Sequence, residues 1–180
     1  GLREAYPDAV IQLNHARGSL GSFTALQVDT DTLASHADPA AFRMEPAPDA
    51  TAFDTRLLDA NFDALEIANG LTASTALLND WFVQLSAGRR KAATGVSDTH
   101  EAFQTLGGYS RTYVYVPGKD TPATFDPKAF AQALKALRAI GTNAPFLKVT
   151  AQKVDAQGMT VGGVVSLGET LSVDPGAGEK

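Results

Sequence analysis

Three short apolar runs, each ending in polar side chains, constrain this chain most. They are Ala9-Val10-Ile11-Gln12-Leu13, Phe62-Asp63-Ala64-Leu65-Glu66-Ile67 and Ala92-Ala93-Thr94-Gly95-Val96. Runs of this length, bounded by turn residues, read as buried strands rather than helices. A helix separates the second and third. Ser74 or Thr75 can cap it, Leu77, Leu78, Trp81, Phe82 and Leu85 fall at helical spacing, and Gly88 ends it.

The alternation continues downstream. Arg111-Thr112-Tyr113-Val114-Tyr115-Val116 is rich in aromatic and β-branched residues and stops at Pro117-Gly118, so it reads as a strand. Asp126-Pro127 starts a helix, with a cap and then proline at the first helical position. Its predicted stripe is Phe130, Ala133, Leu134, Leu137 and Ile140, closed by Gly141. Strands alternating with helices predict an α/β fold, with a largely parallel sheet or an incomplete barrel.

Two stretches break the pattern. From Ser19 to about Ala50, aspartates and prolines predict a long excursion with at most short helices, and Phe53, Leu57 and Leu58 fit a short helix over 51–59. After Pro145, Phe146–Thr150 and Met159–Leu167 read as strands joined by a turn at Asp155-Ala156-Gln157-Gly158. The glycine-rich end, Gly176–Lys180, reads as frayed. The expected organisation is one α/β unit over 1–145, followed by a β-hairpin extension over 146–180.

Composition narrows the function classes. Apolar residues make up 44%, enough for a core, and the formal net charge is −5. The only basic run is Arg89-Arg90-Lys91, at a predicted helix end where the macrodipole favours cations. Binding to nucleic acid or an anionic membrane is therefore not expected. No cysteine is present, which excludes disulfides and thiolate metal sites and leaves the compartment open. No apolar run reaches membrane-spanning length, and no signal peptide is visible. Gly1 stands where an initiator Met would be, so a piece of a longer parent protein is expected, one that can be periplasmic or secreted.

The chemistry gathers where the strands end. In an extended backbone Asp98 and His100 point to the same side, being two residues apart. A carboxylate and an imidazole so placed suit a divalent cation, with zinc, manganese and iron all compatible. His15 follows the first strand, so all three would share one rim, the rim where α/β folds gather ligands. Each residue has a plainer reading: a capping Asp98, a surface His100, a turn-bonded His15. Glu66, near the end of the second strand, can be a ligand, a group orienting a histidine, or a partner for Lys or Arg. Arg111 and Arg17 can each fork onto a substrate anion or form a structural salt bridge. His36 reads as solvated, Tyr113 and Tyr115 as packing, and Trp81 as core. Neither Gly-x-Ser-x-Gly nor a phosphate-binding glycine loop occurs.

Several segments together resemble a known family. Ile11–His15, Ala64–Gly70, Gly95–His100 and Gly108–Val114 are similar, in that order, to segments of the PHP (polymerase and histidinol phosphatase) superfamily, in its CehA/McbA-like metallohydrolase branch. Ala136–Leu147 is similar to the stretch that closes the barrel there. The resemblance covers roughly 7–150. It implies a distorted β/α barrel with two or three divalent metals at its rim. It also implies hydrolysis of phosphate esters, or of related ester bonds, by a metal-bound hydroxide. His15, Asp98 and His100 match ligand positions, Glu66 matches the strand-ending Glu, and Arg111 matches an arginine near the substrate. The family's opening His-x-His strand has no counterpart here, so the chain resembles the C-terminal half of such a barrel. The expected partner is a small-molecule ester, with self-association or a missing N-terminal half covering the open edge. The alternative is a non-catalytic binding or structural module on the same fold.

Overall fold

The computed structural model describes residues 2–32, 34, 36, 61–101, 103, 107–119 and 121–180. The helix expected over 51–59 and half of the excursion before it lie outside the described residues, and the described half holds one short helix, Ser22–Ala25.

The first sheet is built around its best strand. β2 (Ala64–Asn69) is buried along nearly its whole length. β1 (Gln12–Leu13) runs parallel to it, with Gln12 opposite Ala64. β4 (Ala92–Val96) runs parallel on the other edge, with Ala64 opposite Ala92. β3 (Thr72–Ala73) turns back on the end of β2. The three apolar runs of the sequence thus form one parallel core, and their C-terminal ends share a rim. The pairing of β2 with β4 shifts register between Glu66 and Ala68. Such a bulge re-aims the side chains around it.

Side chains alternate across β2 and feed two cores. Leu65 and Ile67 join Phe23, Val28, Phe62 and Leu77 in the larger one. Ala64 packs with Ala92 and Leu134 on the opposite face. Two four-residue helices, α1 (Leu2–Ala5) and α2 (Ser22–Ala25), precede α3 (Thr75–Ser86), which caps at Ser74, whose Oγ accepts the Leu77 N–H at 3.3 Å. Gly88 leaves it with φ +73°.

The face α3 buries differs from the expected stripe. Leu77, Asp80 and Gln84 are inside, while Phe82 is 55% exposed. An acid tolerates that position because Arg17 forks onto it, Nε to Oδ2 at 2.8 Å and Nη2 to Oδ1 at 2.6 Å. The same bond holds the Arg17 pKa above its ordinary value.

A second, two-stranded sheet lies against β4. β5 (Arg111–Val114) pairs antiparallel with β6 (Ala139–Thr142), Arg111 opposite Thr142. Two glycines permit the close approach. A Cβ on Gly141 would lie 2.7 Å from the Thr94 carbonyl carbon, and one on Gly95 would lie 2.9 Å from the Arg111 oxygen. The helix α4 (Pro127–Lys135) starts where expected, with Asp126 Oδ1 accepting the Lys128 and Ala129 N–H groups. It ends earlier than its stripe predicts. Leu137 turns at φ +61°, and Ile140 lies in β6 opposite Tyr113.

Beyond Pro145, β7 (Thr150–Val154) and β8 (Thr160–Ser166) form an antiparallel hairpin. Gly158 supplies φ +81° at its turn. Phe146–Val149, expected as strand, carries no ladder pairing. The last residues do not fray: Lys180 exchanges two backbone hydrogen bonds with Val154, at 2.9 and 3.0 Å. The fold is therefore mixed helix and strand in a few small sheets, with no closed barrel among the described residues.

Candidate functional site

The shared rim of β1, β2 and β4 brings the expected polar residues together. His15 lies two residues past β1, and Asp98 and His100 lie two and four residues past β4. Glu66 is buried within β2, with its side chain 1% exposed. His15 Nδ1 stands 3.2 Å from Glu66 Oε1, and its Nε2 stands 3.8 Å from Asp98 Oδ1. His100 Nε2 stands 3.7 Å from the same Asp98 oxygen. The four form a chain: Glu66, His15, Asp98, His100.

The backbone reaches this arrangement by an unexpected route. Asp98 is not extended; its φ is +52°. His15 is also left-handed, at φ +50°. Non-glycine residues adopt this conformation at a cost and persist in it only where their surroundings enforce it. Around His15 the enforcement is visible. Its carbonyl accepts the Gly18 N–H at 2.7 Å, and the Ala16 carbonyl accepts the Phe23 N–H at 2.8 Å. Gly21 is buried so tightly there that a Cβ would lie 2.0 Å from the His15 oxygen.

One hydrogen bond fixes a ring tautomer. His100 Nδ1 lies 2.7 Å from the Asp98 backbone carbonyl, which can only accept, so Nδ1 carries the hydrogen. His15 Nδ1 stands 3.2 Å from both Glu66 Oε1, an acceptor, and Asn69 Nδ2, a donor, so its ring is poised between two tautomers. Asn69 Nδ2, 3.3 Å from Glu66 Oε1, donates to that carboxylate as well. The His100 Nε2 is then free of hydrogen in the neutral ring, and both Nε2 atoms stand within 3.8 Å of Asp98 Oδ1.

Ligand atoms about 2.1 Å from one ion, at a tetrahedral angle, stand about 3.4 Å apart. The gaps of 3.7 and 3.8 Å to Asp98 are wider than that. Histidine ligands usually donate their other ring hydrogen to a carboxylate or carbonyl, as His100 does to the Asp98 carbonyl. Glu66 Oε2 is buried with no hydrogen-bond partner, a vacant hard donor beside His15. Among the described residues, however, no three His, Asp or Glu side chains are grouped so that they could hold a metal ion as they stand. The outer members of the chain face solvent: Asp98 is 36% and His100 78% exposed.

The remaining candidates have other partners. Arg17 is committed to Asp80, as described above. Arg111 donates from Nη2 to the Tyr109 carbonyl at 3.2 Å. His36, apart from the rim, donates its backbone N–H to the Gln27 carbonyl. Trp81 packs on the larger core and donates its Nε1–H to the Lys91 carbonyl at 2.8 Å. Asn69, which the sequence did not single out, belongs to the site. Its only sequence signal is its place three residues after Glu66 at the end of β2. Searches of family models, curated proteins and solved structures give no match to this chain.

Proposed function

We propose that the rim binds one divalent cation through His15 Nε2, Asp98 Oδ1 and His100 Nε2, and that the chain belongs to a metal-dependent ester hydrolase lineage of the PHP phosphoesterase type. One observation carries the reading: the Nε2 atoms of two imidazoles stand 3.8 and 3.7 Å from a single carboxylate oxygen. The resemblance of residues 7–150 to that superfamily points the same way.

Each residue has a task. Glu66 and Asn69 position the His15 ring: Glu66 Oε1 and Asn69 Nδ2 each lie 3.2 Å from its Nδ1, and Glu66 accepts the His15 backbone N–H. The Asp98 carbonyl fixes the His100 ring. Asp98 supplies the negative charge that a dication needs. A bound zinc, manganese or iron ion would supply Lewis acidity toward an ester or phosphoryl oxygen and would lower the pKa of water. Exposed imidazoles leave open positions on the solvent side for a small-molecule ester. Arg111 sits at the start of β5, where a turn away from the Tyr109 carbonyl would release its fork for an anion.

The non-catalytic reading is favoured by a different observation, the open chain of donors in place of a closed cage. Two measurements separate the readings. After equilibration with zinc or manganese and desalting, elemental analysis should find close to one ion per chain, and far less in Asp98→Ala. Equal metal in both proteins would refute ligation. The loaded protein is then assayed on p-nitrophenyl phosphate and p-nitrophenyl acetate. Metal retention without turnover of either ester supports the binding module.

A further inference from the structure

A second concavity lies away from the rim, between the β5–β6 sheet and the start of the hairpin extension. Its volume is about 430 Å³, within the range of small-molecule pockets. Its walls are apolar and aromatic: Tyr113, Tyr115, Ile140, Phe146 and Leu167. Phe146 stands edge-on to Tyr113 with ring centroids 5.1 Å apart, so one wall is a fixed aromatic corner. Phe146 and Tyr115 are 66% and 59% exposed, so much of this aromatic wall is open to contact.

Two cations border this apolar space, Arg138 and Lys148. Neither has an ion-pair partner among the described residues. In a chain of net charge −5, two unpaired cations beside one apolar cleft are a local inversion of the field. The Arg138 stem passes close to Gly168, where an added Cβ would come within 2.7 Å of its Cγ. The nearby carboxylate of Glu169 is taken up by the Ser166 N–H at 2.6 Å and does not line the cleft.

We propose that this cleft binds a small amphiphilic anion, a fatty or aryl carboxylate, with its apolar body against Tyr113, Ile140 and Phe146 and its carboxylate on Arg138 and Lys148. The concave shape favours a small molecule over a protein partner, which would need a broad face. The site is independent of the metal rim.

The test uses the full chain and 1-anilinonaphthalene-8-sulfonate as a fluorescent probe of the cleft, displaced by decanoate or by decanol. Decanoate should displace the probe at least tenfold more effectively than decanol. The double variant Arg138→Gln/Lys148→Gln should lose that preference while decanol displacement stays unchanged. Should the double variant fail to fold, Lys148→Gln alone, at an exposed position, should weaken decanoate severalfold. Equal displacement by the two ligands, an unchanged preference in the folded variants, or no displacement by decanoate would each overturn the proposal.

Discussion

Glu66 is the one charged residue in β2, and its burial asks what holds a carboxylate there. Oε1 accepts two hydrogen bonds, from the His15 N–H at 3.3 Å and Asn69 Nδ2 at 3.3 Å, with the His15 ring 3.2 Å away. Oε2 has none. A buried acid so incompletely satisfied costs stability, and an apolar residue of similar volume is often neutral or stabilising in its place. A group that orients a metal ligand typically changes ion affinity by 10- to 100-fold when removed. Glu66→Leu should therefore leave the melting temperature unchanged or raise it, while zinc affinity, measured against a competing chelator, falls by about 10- to 100-fold. A melting temperature several degrees lower with unchanged zinc affinity would make Glu66 part of the scaffold alone.

At the scale of elements, the junction of β4 with β5 rests on one hydroxyl. Thr112 Oγ1 accepts the Gly95 N–H at 3.0 Å and donates to the Gly95 carbonyl at 2.9 Å. Thr112→Val keeps the shape and strands both backbone groups. It should cost about 1–3 kcal/mol in chemical denaturation, and a loss below about 0.5 kcal/mol would mean that water replaces the hydroxyl. Local signals made most elements legible. The apolar runs around Leu13, Leu65 and Ala93 became the parallel strands, and Ser74 and Asp126 capped the helices expected of them. The α4–β6 boundary was not legible, because Leu137 and Ile140 fit a helical stripe equally well. Pairing with β5, and the closeness Gly141 allows to Thr94, decide for strand. Asp80 was also hidden, since only its distant partner Arg17 makes an inward carboxylate tolerable. At the rim, the meeting of His15, Asp98 and His100 was legible from strand ends, but the left-handed backbone at Asp98 was not, and extended geometry was the wrong reason for it.

Across the whole molecule, cohesion is uneven. β2 and β4 are mostly buried, whereas the hairpin β7–β8 is mostly exposed, with Val164 60% and Met159 66% accessible. What secures the hairpin is largely polar. Lys153 Nζ binds Glu179 at 2.9 and 3.0 Å, and Lys180 pairs with Val154 beside it. The hydrogen bond from Lys153, helped by the Asp174 N–H, lowers the Glu179 pKa. A lowered carboxyl pKa gives stabilisation that is complete above the ordinary Glu value and is lost as pH falls through the lowered one. The tail should therefore leave the hairpin before the parallel sheet unfolds in acid. Followed by NMR from about pH 6 to about pH 2, the Val154 and Lys180 amides should lose their folded shifts while those of Leu65 and Ala93 keep theirs. Lys153→Met should abolish the difference by freeing the tail already at neutral pH. Simultaneous loss of all four signals in the unmodified protein would instead make the hairpin and the sheet a single cooperative unit.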